Sequence, residues 1–309
     1  MNDGITISAF QLMERFPDAT AARKHLEQVR WGGNVKCPHC GSHEIYSRKG
    51  KREGYYDCRK CGLMQFSVRT GTIFEKSKIP LHKWIYAIYK LVTARKGVAS
   101  LQLSKELGVT QKSTWFLLHR LRTACGGDLQ ALRGIVEVDE TYLGGKESNK
   151  HESKKLKKGR GAVGKQAVLG LRERGGNVKA MPVSATDKQT LQGSIFDNVD
   201  AGSTVYTDDH PSYKGLDGVL YEHESVKHSA KEYVNGMAHT NGIESVWAVL
   251  KRGFHGIYHS WDMKHCASYI NEFSFRLNQG NCKAETLDRM DSLIKGAIGK
   301  RLTYKELIA

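Results

Sequence analysis

The spacing of apolar residues changes character once along the chain. Over residues 8–29, Phe10, Met13 and Phe16 recur at helical intervals, Pro17 interrupts, and Ala21 to Val29 resumes the pattern, which predicts two short helices. Residues 81–95 (LHKWIYAIYKLVTAR) set Trp84, Ile85, Ile88, Leu91 and Val92 on one stripe and predict a third. Two further helices fit 98–107 and 111–124. From residue 135 the apolar residues gather into short β-type runs instead: Ile135–Tyr142, Gln166–Arg172, Val178–Val183 and Thr204–Thr207. Arg174-Gly-Gly-Asn177 makes a hairpin turn between the second and third of these. Helices fit about 187–197, 241–253 and 262–278, and there is no internal repeat.

A helical first half and a strand-and-helix second half predict a multi-domain α/β protein. The 309 residues exceed the roughly 250–300 at which a single core stops growing. The expected segments are a helical start (1–30), a cysteine-rich ribbon (31–76), a helical region (77–127), an α/β domain (133–280) and a tail (281–309). With 39% hydrophobic and 26% charged residues, the chain is not of the disordered class. No apolar run reaches the ~18 residues of a membrane helix. The start, MNDGITISAF, lacks the pattern of a secretory signal, so the cytoplasm is the expected location and a disulfide framework is not expected.

Charge separates the halves further. The formal net charge is +16; residues 1–132 hold 22 basic and 10 acidic residues, against 26 and 22 in residues 133–309. Such a balance fits a polyanionic partner. Within the second half, residues 146–165 carry eight basic and two acidic residues and read as a basic loop.

Four of the seven cysteines form two CxxC pairs, Cys37-Pro-His-Cys40 and Cys58-Arg-Lys-Cys61. Each pair supplies two ligands from one tight turn, and two pairs close a tetrahedral structural zinc site. Gly41 and Gly62 follow the knuckles, and Ile45, Tyr46, Tyr55 and Tyr56 supply strands for a ribbon. His39 and His43 are alternative ligands, but four thiolates already fill the shell. Cys125, Cys266 and Cys282 have no metal spacing.

Residues 100–122 (SLQLSKELGVTQKSTWFLLHRLR) resemble a helix-turn-helix. Gly108 suits a left-handed helix end and Thr110 suits a cap for the next helix. The second helix then presents Gln111, Lys112, Ser113 and Thr114 at its start, where a recognition helix meets base edges. A helical hairpin used only for packing is the alternative.

Three carboxylates stand out in the second half. Asp139 lies in IVEVDETYLGG on a predicted central strand, Asp208 ends Val205-Tyr-Thr-Asp208, and Glu244 opens a predicted helix in HTNGIESVWAVLKRG. Lys251 lies seven residues after Glu244, within about 20° of it around that helix. Carboxylates from separate elements suit divalent cations, Mg²⁺ or Mn²⁺, in phosphodiester chemistry, and a lysine on the same face meets phosphate as a point charge. Glu137 shares the strand face of Asp139 and is a candidate assistant. Glu140 and Asp209 adjoin the chosen aspartates; Asp208 is preferred because it directly follows the apolar run.

These motifs together resemble the DDE-type transposases of bacterial insertion sequences, in the group with an N-terminal zinc ribbon. The resemblance runs through FPDATAARKHLEQVRWGGNVKCPHCGS, CRKCG, VEVDETYLGG, VYTDDHPSY, HTNGIESVWAVLKRG and YINEFSFRLN, nearly the whole chain. It implies a ribonuclease-H-like mixed sheet flanked by helices. It implies that Asp139, Asp208 and Glu244 form the metal-binding triad and that Lys251 is the family's basic residue two turns later. Some members have Asn at the position of Glu244; this chain keeps Glu. The implied activity is cleavage at element ends and strand transfer into target DNA. The implied partners are double-stranded DNA and further copies of the chain, with no membrane. The rival expectation is a DNA-binding regulator with an inert nuclease-like domain.

Overall fold

Side chains at the helix starts set the N-terminal boundaries. Ser8 accepts from the Gln11 backbone while the Gln11 side chain reaches back to the Ser8 backbone, which starts α1 (Ala9–Arg15). Asp18 caps α2 (Ala19–Trp31), which ends on Gly32 in the left-handed conformation. The computed structural model describes residues 6–127, 130–145, 151–156, 162–216, 218, 220–226, 239–279 and 284–309. The chain divides into two compact units, Met1–Gly127 with Gln279–Ala309, and Asp128–Asn278.

In the first unit, β1 (Ile45–Ser47), β2 (Tyr55–Cys58) and β3 (Met64–Ser67) form an antiparallel sheet in sequence order. Trp31, Tyr56 and Phe66 pack edge-on and stacked to make its small core. Beyond it, α3 (Leu81–Thr93) buries Leu81, Trp84, Ile85, Ala87, Ile88, Leu91 and Val92, the stripe expected from the sequence with Leu81 and Ala87 added. Helix α4 (Ser100–Leu107) ends on left-handed Gly108, and Thr110 caps α5 (Gln111–Cys125).

The sequence reading set residues 281–309 apart as a tail. In the structure Gln279–Ala309 belongs to the first unit. Helix α9 (Thr286–Gly296) buries Met290, Leu293 and Ile294 and packs against α2, α3 and α5. Arg120 of α5 donates to the carbonyls of Leu302 and Glu75 at 3.1 Å each. The apolar spacing of α9 was present in the sequence, but its partners lie far away in the chain.

The second unit holds five strands: β4 (Ile135–Leu143), β5 (Gln166–Glu173), β6 (Val178–Val183), β7 (Thr204–Asp208) and β8 (Glu222–Val226). Their order is β6-β5-β4-β7-β8. The β4–β5 and β5–β6 pairs are antiparallel; β4–β7 and β7–β8 are parallel. This is the ribonuclease-H-like mixed sheet that the resemblance implies. One face, with Val136, Val138, Leu169 and Leu171, packs on Leu191 and Ile195 of α6 (Lys188–Asn198). The other face, with Val168 and Val178, packs on α7 (Asn241–Gly253) and α8 (Cys266–Asn278). Alternating strand residues thus serve opposite layers.

Strand β8 was absent from the sequence reading. It is an edge strand in which only Val226 is buried, so no alternation marks it. Residues 146–150 and 157–161, half of the expected basic loop, lie outside the described residues. Among the described residues no helix is long and apolar enough to cross a membrane.

Candidate active site

Parallel pairing of β4 and β7 brings the two chosen aspartates together. Glu137 pairs with Tyr206, so two residues on, Asp139 and Asp208 stand side by side where β7 ends. The carboxyl ends of adjacent parallel strands open a crevice, the usual ligand position of such sheets. Oxygens of Asp139, Glu140 and Asp208 lie within 4.8 Å of one another. Three hard oxygen donors at this spacing match what Mg²⁺ or Mn²⁺ takes.

Each carboxylate is held. The Trp247 indole Nε1 donates to Asp139 Oδ2 at 2.9 Å. Tyr213 Oη donates to Glu140 Oε1 at 2.6 Å. The backbone N–H of His210 donates to Asp208 Oδ1 at 3.1 Å. Asp139 therefore reaches the site from the face covered by α7, and Glu140 from the face that carries Tyr213. Burial pushes Asp139 up to about 6, with the neighbouring Asp208 and Glu244 charges adding to it. Burial likewise pushes Glu140 up to about 7, helped by Asp208 and Asp139. A cation between these groups would relieve the repulsion that burial intensifies.

A pH prediction follows. The same carboxyls in the unfolded chain titrate near 4, so between about pH 4 and pH 7 the folded state binds more protons than the unfolded state. Stability from these groups is therefore highest at the acid end and falls as pH rises through the window. In magnesium-free buffer, the melting temperature of wild type is expected to fall more steeply from about pH 5 to pH 7.5 than that of Glu140→Gln, and added Mg²⁺ to recover more at the higher pH. Parallel melting curves for the two proteins would count against the cluster.

The sequence reading named Glu244 third and Glu137 as an assistant. Glu244 is exposed on the first turn of α7, near enough for its charge to raise Asp139 but outside the close group of three. The Thr240 hydroxyl donates to it at 3.4 Å. Lys251 is exposed two turns further along the same helix. Glu137 is not in the group either. Its side chain is only 2% exposed, it pairs with Arg174 at 2.9 Å, and it accepts the Ile243 backbone N–H at 2.9 Å. Removing either partner of such a buried pair costs about 3–5 kcal/mol. Glu140, a neighbour of Asp139 left open by the sequence, points away from it by strand alternation, but its long side chain and the Tyr213 hydroxyl bring it into the site.

The four-cysteine site assembles as read. Cys37 and Cys61 sulfurs are 4.0 Å apart, and Cys40 and Cys58 sulfurs 3.6 Å. A tetrahedron with 2.3 Å zinc–sulfur arms has edges of about 3.8 Å. All four sulfurs lie within 4.8 Å of one another, so the cluster fits a zinc ribbon without His39 or His43. Gly41 and Gly62 adopt φ of 71° and 65°, which closes each knuckle behind its second cysteine. The Ser42 backbone, and then the neighbouring thiols, lower Cys40 to about 7, whereas burial raises Cys58, and the Cys40 contact together with burial raises Cys61. Cys125 and Cys266 are buried elsewhere; Cys282 lies outside the described residues.

The turn between α4 and α5 also forms as read, with φ of 61° at Gly108 and Ser113 N donating to Thr110 Oγ1 at 3.2 Å. Gln111, Lys112 and Ser113 are exposed at the start of α5. Thr114 is not: it is fully buried and its hydroxyl donates to the Thr110 carbonyl at 3.2 Å. It braces the turn and presents no surface to a ligand.

Residues 131–278 match the ISXO2-like transposase domain, and residues 17–63 match the transposase zinc-ribbon domain. An uncharacterized protein in transposable element ISH50 of Halobacterium salinarum is 31% identical over 258 residues, covering 78% of this chain and 84% of that one. The chain belongs to the ISXO2-like transposase family. An uncharacterized transposase-like protein of Haemophilus influenzae is 29% identical over 124 residues, 39% of this chain and 96% of its own. The transposase domain covers every strand and helix that surrounds the acidic cluster, and the zinc-ribbon domain covers all four cysteines.

Proposed function

We propose that this ISXO2-like transposase binds the terminal repeats of an insertion sequence, cleaves a phosphodiester at each end and joins the freed end to target DNA. The observation that carries the reading is the convergence of Asp139 and Glu140, midway along β4, with Asp208 at the carboxyl end of β7, inside the transposase domain. Asp139 and Asp208 would hold the divalent ions, with Glu140 beside them and Glu244 as a further candidate ligand from α7. Bound Mg²⁺ or Mn²⁺ supplies activation of the attacking oxygen and charge stabilisation of the leaving one. In the first step water attacks the phosphodiester and a 3′-hydroxyl leaves. In the second, that hydroxyl attacks a target phosphodiester, and the target's own 3′-oxygen leaves, so one bond forms for each that breaks. Lys251 contacts the DNA backbone as a point charge.

The ribbon, with structural zinc, and the exposed start of α5 bind the element ends. Lys112→Ala is expected to weaken binding to all sequences alike and to lower the salt slope by about 1. Gln111→Ala is expected to cost about 1–3 kcal/mol on the correct end only. Fluorescence anisotropy over a salt series checks both, and an unchanged Kd in both variants would remove α5 from the interface. Pairing two ends requires at least two copies of the chain, and the site of action is the nucleoid. Incubation with terminal-repeat DNA, target DNA and Mg²⁺ tests the whole reading. Nicked ends joined to target support transposition, nicked ends alone indicate a hydrolase, and binding without nicking indicates a regulator.

A further inference from the structure

Helix α7 meets β4 at two points of matching spacing. Glu137 accepts the Ile243 backbone N–H at 2.9 Å, and Asp139 accepts the Trp247 indole N–H at 2.9 Å. Two residues along a strand advance about 6.6 Å, and four along a helix about 6.0 Å. Residues 137 and 139 on one strand face therefore meet 243 and 247 on one helix face, with Glu244 between them. Each contact has a space made for it. Gly170 pairs with Asp139 in the β4–β5 register, and a Cβ there would run into the Trp247 indole. A Cβ on Gly242 would run into the Glu137 carboxylate. Arg174 holds the other side of Glu137 and also donates to the His239 carbonyl at 3.1 Å.

We propose that Trp247 is a positioning residue for the cation site: its indole N–H ties down Oδ2 of Asp139 and orients the carboxylate toward Asp208, while Glu137 locks α7 in the register that makes this bond. The inference rests on the reading of Asp139 as a metal ligand. An indole is apt for the task. It is neutral, donates one hydrogen bond and accepts none, so it cannot compete for the cation. Its ring is 4% exposed and packed among Ile243, Leu250 and Phe254, which fixes the direction of the N–H. Partners of this kind, one bond out from a metal ligand, typically change metal affinity or activity by about 10–100-fold when removed.

The test uses the full-length protein and Mn²⁺ alone. Calorimetric titration is run on wild type, Asp139→Ala, Trp247→Phe and Glu137→Gln, with melting curves to establish that each is folded. Phe keeps an aromatic ring and loses only the donor. Mn²⁺ affinity is expected to fall about 10-fold or more in Trp247→Phe. In end cleavage, the Mn²⁺ concentration for half-maximal rate should rise by the same factor, with the rate at saturating Mn²⁺ within about threefold of wild type. Gln keeps an acceptor for the Ile243 N–H but breaks the Arg174 pair, so folded Glu137→Gln is expected to bind Mn²⁺ more weakly than wild type, and wild-type affinity there would remove Glu137 from the proposal. Folded Trp247→Phe with wild-type Mn²⁺ affinity would overturn the proposal and leave Trp247 as packing. Wild type and Asp139→Ala binding Mn²⁺ alike would instead sink the metal-ligand reading beneath it. A measurement on wild type stands in if Trp247→Phe fails to fold. Of the five tryptophan indole N–H resonances, one should move on saturation with Mg²⁺. If none moves, the proposal falls.

Discussion

Asp139→Ala is expected to bind element ends with wild-type affinity and to cleave them on the order of 10³-fold more slowly, or not at all. The size comes from charge. Metal-assisted phosphodiester cleavage draws several kcal/mol of transition-state stabilisation from the ions, and each 1.4 kcal/mol or so is tenfold in rate. Asp139 is a proposed ligand of these ions. It faces Asp208 across the β4–β7 pairing, adjoins Glu140, and senses the charge of Glu244. Its loss removes a donor to the cation and leaves the Trp247 indole N–H without its acceptor. Stability should change little or rise in magnesium-free buffer, because one of three mutually repelling carboxylates is gone. Single-turnover cleavage with gel-shift binding on the same preparation measures both terms. Cleavage by folded Asp139→Ala within tenfold of wild type would mean that the ions sit elsewhere.

The largest effect on folding is expected at the ribbon. Structural zinc contributes about 10–16 kcal/mol in small isolated domains, against a net stability of about 5–15 kcal/mol for a whole protein. The ribbon's own core is slight, with Trp31, Tyr56 and Phe66 its main apolar contacts. Cys58 is fully buried on β2 and its sulfur is 3.6 Å from that of Cys40. Cys58→Ser is therefore expected to lose bound zinc, expose residues 35–67 to protease and abolish tight end binding. The transposase domain at 131–278, which contains none of the four ligands, should keep its fold. Metal analysis should find about one zinc per wild-type chain, since four thiolates complete one tetrahedral shell. A Cys58→Ser protein that retains zinc and resists protease would show that the ribbon folds on its apolar contacts.

The two sites differed in how much of each was legible. Both cysteine knuckles could be read because two ligands of each lie three residues apart, and one local turn makes the geometry. The start of α5 was read as a block of four, and only burial separated Thr114 from Gln111, Lys112 and Ser113. At the acidic site, Asp139 and Asp208 were visible as acidic residues on or after apolar strands. Glu137 and Glu140 were near-equivalents by spacing. Strand alternation favoured Glu137, yet Arg174 and the α7 backbone claim it, and Tyr213 brings Glu140 into the site. Helix α9 carries its own apolar stripe, but the sequence could not say that α2, α3 and α5 cover it.

From its sequence alone, this protein's helices up to α8, most of its strands, the Gly108 and Thr110 caps and its zinc knuckles were determined, because each depends on residues within one or two turns of chain. Charge did the same for the basic first half. The tertiary structure decided which carboxylates share a site and which helix edge holds them. That choice rests on the parallel pairing of β4 with β7, separated by two strands and a helix in sequence, and on the register of α7 against β4. Burial then gave like residues unlike chemistry. Glu137 became one half of an ion pair, Glu140 a carboxyl raised toward neutrality, and Glu244 an exposed charge at a helix start.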